Sequence, residues 1–365
     1  MSFVCVYDET NAQHAPPVEF YAATGWEKHV EKPIRTEKIL TSLKATFGDR
    51  LALVAPRSEH YGKEHLLAVH DAAYLEWLEV AWSNYAEFRK LRFNDDKTVE
   101  HGLIPDVFTF GPRHQLPKCK SLHAGHYCFD TYTPIMPATY DAAVRCGAHV
   151  ALTGADLLNE QNNARTAGEA APTVYALCRP PGHHAGADYY GGYCYLNNAA
   201  IAVAHLKTLG HARISILDID YHHGNGTQDI FFHDPAVQYV SIHGDPDAEF
   251  PYYSGYASEV GEHNQALNLP LPLFSGEVPY QEALKKAVKA ISAFGPTILV
   301  VSLGVDTQLN DPMGTFKLVA PMYKAVGETV RAELVNLPTL VIQEGGYRLE
   351  TMGDCVAQFM AAFWQ

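Results

Sequence analysis

The sequence lacks the long apolar runs that a membrane-spanning protein needs. None of its 365 residues falls in a stretch approaching the roughly 20 consecutive apolar residues of a transmembrane helix. Residues 1–9 also lack the basic stretch followed by an apolar one that marks a secretory signal peptide. We therefore expect a cytoplasmic protein that does not associate with membranes.

Paired cysteines and an excess of positive charge are also missing. The seven cysteines are scattered and none forms a Cys-x-x-Cys pair, which is typical of reduced thiols rather than of a disulfide framework. Lys and Arg together number 27 against 41 Asp and Glu, so the formal net charge is −14. A chain this acidic is a poor partner for nucleic acid, but it favours cationic small molecules.

The pattern that is present is an alternation of short apolar runs with helical spacing. Runs that are typical of strands covered on both faces occur at 3–7, 174–178, 214–217, 239–242, 298–301 and 340–342. Helical spacing occurs at 197–209, 280–294 and 321–334. This alternation predicts an α/β fold with a mainly parallel central sheet flanked by helices. Because there is no linker or repeat, we expect a single domain over residues 1–365, with a long loop at about 94–125.

The segment 218–226, with the sequence DIDYHHGNG, directly follows one predicted strand. Since alternate residues of an extended chain point the same way, Asp218, Asp220 and His222 project from one side. Two carboxylates and an imidazole placed in this way repel each other unless a cation lies between them. Carboxylates alone would suit magnesium or calcium, whereas the imidazole favours a transition metal such as zinc.

Three further groups follow predicted strands. The segment 179–186, with the sequence RPPGHHAG, presents His183 and His184 on a stiff loop that suits proton transfer near neutral pH. Asp306 adds a carboxylate, and Tyr347 adds a hydroxyl donor after two glycines. Singly, each has an ordinary structural explanation, such as a helix cap or a packed ring. Together they lie at the edge where open α/β sheets bind ligands, which predicts one shared crevice.

These motifs, with GGYCYLNN at 191–198, SIHGDP at 241–246 and SLGVD at 302–306, resemble the zinc-dependent histone deacetylase superfamily. Within it, the chain is most similar to acetylpolyamine amidohydrolases and related bacterial deacetylase-like amidohydrolases. The resemblance covers nearly the whole chain and implies the arginase–deacetylase fold. It also implies hydrolysis of small N-acyl amides, most of all acetylpolyamines, with zinc at the site, a structural potassium ion and a homodimer whose 94–125 loop lies near the active-site mouth.

The resemblance further implies roles for individual residues. The zinc ligands would be Asp220, His222 and Asp306, with Fe²⁺ as an alternative ion. The imidazoles of His183 and His184 would flank the attacking water, with His184 as the base and later the acid. The hydroxyl group of Tyr347 would donate to the scissile carbonyl.

Supporting roles are implied in the same way. Asp218 and Ser241 would belong to the potassium site. Asp218 would also orient His183, and Asn225 would orient His184. Tyr193 and Phe250 would line a narrow substrate channel.

Four alternatives stay open at this stage. In the first two, the protein is still an amidohydrolase, but its substrate is either another small or xenobiotic amide of the dimethoate type or acetyl-lysine in a protein. A non-enzymatic alternative is an inactive zinc-containing binding module. An arginase-like binuclear manganese enzyme is disfavoured, because that family has Asp-x-His-x-Asp where this chain has Asp-x-Asp-x-His, and because it lacks the equivalent of Tyr347. No carboxylate for substrate recognition is identified in the 94–125 segment.

Overall fold

The computed structural model describes residues 3–93, 101–109 and 116–363. The strands are β1 (Phe3–Val6), β2 (Val18–Tyr21), β3 (Gly25–Lys28), β4 (Leu51–Val54), β5 (Thr173–Ala176), β6 (Ile214–Asp218), β7 (Val237–Gly244), β8 (Ala266–Leu271), β9 (Ile298–Leu303) and β10 (Thr339–Gln343). Within these residues, eight strands form one parallel sheet in the order β4-β1-β5-β10-β9-β6-β7-β8, and β2 pairs with β3 as an antiparallel hairpin. The predicted fold class, a single α/β domain with a mainly parallel sheet, is confirmed.

Helices cover both faces of the sheet. They are α1 (Ile34–Phe47), α2 (Lys63–Leu67), α3 (Ala72–Phe93), α4 (Ala124–Tyr127), α5 (Thr139–Ala142), α6 (His149–Ala164), α7 (Asn198–Thr208), α8 (Asn225–Phe231), α9 (Glu277–Phe294), α10 (Ala320–Glu333) and α11 (Met352–Ala362). One face packs against α1, α9, α10 and α11, and the other packs against α6 and α7. A π-helical turn, Ala143–Ala148, joins α5 to α6.

Burial on both faces explains why the predicted strand runs are mainly apolar. In β9, Leu299 and Val301 enter one buried cluster while Ile298 and Val300 enter the other. Successive side chains of a strand point to opposite faces, so a strand covered on both faces is apolar at most of its positions. All six predicted strands and all three predicted helices are present, with ends within about three residues of the predicted ones.

The segment 94–125 is only partly covered, because residues 94–100 and 110–115 lie outside the described ranges. The described remainder is not loop throughout. A 3₁₀ turn, Lys120–His123, leads directly into α4, and Leu103 forms an isolated bridge with Ile135. Its contribution to the active-site mouth stays a prediction.

None of the helices in the described ranges is both long enough and apolar enough to cross a membrane.

Candidate active site

The site lies at the carboxyl edge of the sheet, where four neighbouring strands end side by side. Asp218 is the last residue of β6 and is in register with Ser241 of β7 and Ser302 of β9. The loops that follow β5, β6, β9 and β10 carry the motifs singled out in the sequence. Parallel pairing therefore brings together residues that are more than 160 positions apart in the chain, as between Gly182 and Glu344.

Three donors form a compact group at the base of the site. The ligand atoms of Asp220, His222 and Asp306 all lie within 4.8 Å of one another, and all three residues are buried. Nδ1 of His222 is 3.4 Å from Oδ1 of Asp220 and 3.3 Å from Oδ2 of Asp306. Two ligands that each bind one tetrahedral zinc ion at about 2.0 Å lie about 3.3 Å apart, so these spacings suit zinc.

Two features of the donor group indicate that it binds a cation. In the described part of the chain, Oδ2 of Asp306 is buried and has no hydrogen-bond partner. Burial and the neighbouring Asp220 carboxylate raise the pKa of Asp306 above its usual value. Gly304 and Gly345 stand where any Cβ would collide with these carboxylates, so the glycines keep the space around them clear. A divalent cation would satisfy the orphaned oxygen and relieve the repulsion.

The two consecutive histidines occupy different electrostatic environments. Nδ1 of His183 is 3.1 Å from Oδ2 of Asp218, and Nδ1 of His184 is 2.8 Å from Oδ1 of Asn225. Burial opposes the charge on His183, but the Asp220 and Asp218 carboxylates outweigh it and raise its pKa to about 10. Burial, together with its two histidine neighbours, lowers the pKa of His184 well below the usual value. His184 is therefore the neutral imidazole of the pair, as a proton acceptor must be.

A buried glutamate fixes the loop that carries these histidines. Oε2 of Glu344 accepts hydrogen bonds from the backbone N–H groups of Gly182, at 2.7 Å, and of His183, at 3.2 Å. Oε1 accepts one from the hydroxyl group of Ser302, at 3.2 Å. Glu344 directly precedes the two glycines before Tyr347, but sequence reasoning gave it no role, because its partners come from strand β9 and from the loop after β5.

Tyr347 is held from both sides. Its backbone N–H donates to Oδ2 of Asp311 at 2.8 Å, and the Arg35 guanidinium carbon lies 4.8 Å from the centre of its ring. Arg35 also donates to the carbonyl groups of Glu344 and Gly346, which anchors the turn before the tyrosine. Burial raises the pKa of Tyr347 well above its usual value, so the hydroxyl group stays protonated as a donor.

A cavity of about 270 Å³ opens above these groups. Its lining comprises Tyr21, Tyr132, His184, Gly192, Tyr193, His222, Glu249, Phe250, Tyr252, Pro312, Met313, Gly314, Thr315 and Tyr347. The Phe250 ring centre is 4.9 Å from that of His184, and the Tyr193 ring centre is 5.6 Å from that of Tyr347. Both residues predicted to line the channel thus flank the reacting groups. A cavity of this volume suits a small substrate.

The two residues predicted to belong to a potassium site are also brought together. Asp218 and Ser241 are register partners on β6 and β7, and both are fully buried. Oδ1 of Asp218 accepts the Asp220 N–H at 3.1 Å, and the Ser241 hydroxyl is 2.7 Å from Nδ1 of His243.

Sequence reasoning missed several cavity residues, most of them on segments with no motif. Tyr21 comes from the β2–β3 hairpin, and its hydroxyl group lies 3.0 Å from that of Tyr193. Glu249 directly precedes Phe250 and belongs to the cavity lining. Proximity to the predicted Phe250 was the one signal in the sequence that pointed to Glu249.

Fold and site together define a hydrolase of the deacetylase class, and comparison with known proteins agrees. Residues 29–363 match the histone deacetylase domain, and the chain belongs to this family, which is generally zinc-dependent. The predicted enzyme class, a hydrolase acting on amide bonds, is confirmed by this membership.

Three similar proteins within this family are named acetylpolyamine amidohydrolases or aminohydrolases. The chain is 42% identical to acetylpolyamine amidohydrolase 1 of Pseudomonas aeruginosa over 88% of each chain. It is 41% identical to acetylpolyamine amidohydrolase of Mycoplana ramosa, over 90% of this chain and 91% of the relative. The crystal structure of acetylpolyamine aminohydrolase from Burkholderia pseudomallei superposes with a TM-score of 0.88 at 31% identity, covering 99% of this chain and 98% of the other.

Proposed function

We propose that this protein is a zinc-dependent amidohydrolase that removes acetyl groups from small acetylated amines, with acetylpolyamines as its main substrates. The observation that carries the proposal is the convergence of Asp220, His222 and Asp306 beneath a cavity of about 270 Å³ that is lined by His184 and Tyr347. The names of the most similar relatives support the same substrate class.

Asp220, His222 and Asp306 would hold the zinc ion. When bound, zinc supplies Lewis-acid activation of a water molecule and of the amide carbonyl. Nε2 of His184 then takes the proton from the attacking water and delivers it to the leaving amine nitrogen. The hydroxyl group of Tyr347 donates to the carbonyl oxygen as negative charge develops there. His183, which Asp218 holds in place, supplies a neighbouring positive charge.

The cavity lining favours a substrate with a cationic tail. Within the described residues, no lysine or arginine lines the cavity, whereas Glu249 does. The rings of Tyr21 and Tyr132 stack 5.0 Å apart beside it, and Tyr252 adds a third ring. Carboxylates and tyrosine rings both attract ammonium groups. We assign Glu249 as the carboxylate that receives the distal ammonium group of the substrate.

Three finer assignments belong to the same proposal. A structural potassium ion would be bound beside Asp218 and Ser241, the protein would act in the cytoplasm without a nucleic-acid partner, and it would form a homodimer. The dimer rests on similarity to related amidohydrolases alone.

The test is a substrate panel applied to purified, metal-quantified protein. N-acetylputrescine, N8-acetylspermidine, an acetyl-lysine peptide and neutral N-alkyl acetamides are incubated with and without a hydroxamate, and the released amine is measured. We expect hydroxamate-sensitive release, fastest from the acetylpolyamines. Release only from other amides would retain the mechanism and replace the substrate. No release from protein holding one zinc ion would indicate a non-catalytic binding module.

A further inference from the structure

The side chain of Asn225 is contacted at both ends of its amide group. Its acceptor end, Oδ1, is 2.8 Å from Nδ1 of His184. Its donor end, Nδ2, faces the hydroxyl groups of Tyr253, at 3.0 Å, and Tyr189, at 3.3 Å, and the carbonyl oxygen of His184, at 3.4 Å. Unlike a carboxylate, an amide has one acceptor end and one donor end. Its orientation therefore decides whether it presents a hydrogen-bond acceptor or a donor to His184.

Two acceptors oppose reversal of this amide: the carbonyl oxygen of His184 and, from outside the active site, the hydroxyl oxygen of Tyr189. The hydroxyl group of Tyr189 donates its single proton to Oδ2 of Asp229, and a carboxylate can only accept. Because that proton is used, the Tyr189 oxygen can only accept a hydrogen bond from Asn225. A rotation of the amide by 180° would place two acceptors, Oδ1 of Asn225 and the Tyr189 oxygen, against each other.

Tyr189 and Asp229 are themselves held in place. The Tyr189 ring packs on Gly186, where a Cβ would collide with it, and its centre is 5.7 Å from that of Phe129. Asn225 and Asp229 are four residues apart in α8, so they lie on the same face of that helix. Tyr189 bridges the two residues from the neighbouring loop.

We propose that Tyr189, oriented by Asp229, is a positioning residue that sets the direction of the Asn225 amide and thereby the tautomer of His184. With Oδ1 facing Nδ1, the imidazole carries its hydrogen on Nδ1 and leaves the lone pair of Nε2 for the reaction. A reversed amide would stabilise the opposite tautomer, which cannot accept a proton at Nε2. The inference rests on the proposed function, because His184 is the base of that reaction.

The kinetic test compares Tyr189→Phe with a matched control. Tyr61→Phe also removes a tyrosine hydroxyl group that donates to a carboxylate, here Asp156, and neither of these residues lines the cavity. We expect Tyr189→Phe to lower kcat for N-acetylputrescine by about 10- to 100-fold with little change in KM. Asp229→Ala, at an exposed helix position, acts in the same direction, and Tyr61→Phe keeps the wild-type kcat. Equal kcat values in all four proteins would overturn the proposal.

A second background separates positioning from general damage to the fold. In Asn225→Asp, the carboxylate presents an acceptor to His184 whichever way it points, so the direction no longer matters. We expect Tyr189→Phe to change kcat less than about twofold in this background. A loss as large as in the wild-type background would show that Tyr189 acts in another way and would overturn the inference.

A spectroscopic readout keeps this inference distinct from the proposed function. Nitrogen-15 NMR of histidine-labelled protein identifies the protonated ring nitrogen of His184, with the resonance assigned by its absence in His184→Gln. The wild type is expected to carry the hydrogen on Nδ1, and Tyr189→Phe is expected to show a mixture of tautomers. If the wild type hydrolyses nothing yet this difference is seen, the function fails and the positioning role stands. Identical spectra would overturn the positioning role, whatever the activity.

Discussion

The hydroxyl group of Tyr193 donates a hydrogen bond to Oε2 of Glu19, with 2.7 Å between the two oxygen atoms. Glu19 belongs to β2 of the small hairpin and is fully buried, and its Oε1 accepts the Val30 N–H at 3.1 Å. Tyr193 is a cavity residue held at φ +64°, a conformation that is uncommon for side chains larger than glycine. The hairpin thus supports one wall of the channel through this contact.

This contact predicts a specific pH dependence of stability. Burial raises the pKa of Glu19 from its usual 4.5 to about 7, so the folded protein holds the proton more tightly than the unfolded chain does. The stability this provides is complete below about pH 4.5 and is lost as the pH rises to about 7. Glu19→Gln cannot titrate. As the pH rises from 5 to 8, the free energy of unfolding of the Glu19→Gln protein should therefore increase by about 3 kcal/mol relative to that of the wild type. Urea titration at each pH measures this difference. A constant difference across this range would contradict the buried, protonated glutamate.

Tyr347→Phe should separate catalysis from metal binding. The substitution removes one hydroxyl group from the cavity and leaves the ring on Arg35, so the fold and the zinc content should be unchanged. Loss of one donor to the developing oxyanion typically costs about 100- to 1,000-fold in kcat. Steady-state kinetics, metal analysis and thermal melting provide the measurements. Near-normal turnover would rule out the assigned role of the hydroxyl group.

His222→Ala should lose metal and activity together. Two carboxylates would remain without the imidazole, and the site would then resemble the oxygen-only sets that zinc does not favour. The measurement is zinc stoichiometry after dialysis, with Tyr347→Phe as the metal-retaining control. An active His222→Ala protein with a full complement of zinc would contradict the ligand assignment.

Glu249→Gln tests the recognition of a cationic tail. We expect KM for N-acetylputrescine to rise about fivefold, while KM for the neutral N-butylacetamide stays unchanged, because the substitution removes one attraction to the distal ammonium group. Asp247→Asn is the matched control, since it removes the same charge from the same loop at an exposed position outside the cavity lining. High salt should weaken the preference of the wild type for the cationic substrate. Equal effects on both substrates would exclude Glu249 as the recognition carboxylate.

The sequence predicts the central part of the fold because those strands are apolar at most of their positions. The sequence did not predict the two edge strands of the sheet, for a different reason in each case. Strand β4 has four residues and only partial burial, and β8 contains Pro270, which lowers the strand signal. The motifs at the strand ends predict the reacting groups, because the carboxyl ends of parallel strands meet at one edge of the sheet. The loops that follow these strands are therefore brought together. Glu19 and Tyr21 could not be found in this way, because only the docking of the hairpin brings them to the channel.

Reconstitution of metal-free protein with zinc tests the metal dependence of hydrolysis most directly. The protein is stripped with a chelator, and acetylpolyamine hydrolysis is followed as zinc is added back. We expect activity to be absent without metal, to rise in proportion to added zinc and to saturate at about one ion per chain, and we expect no restoration of His222→Ala at the same zinc concentrations. Full hydrolysis by the metal-free protein would contradict this metal dependence.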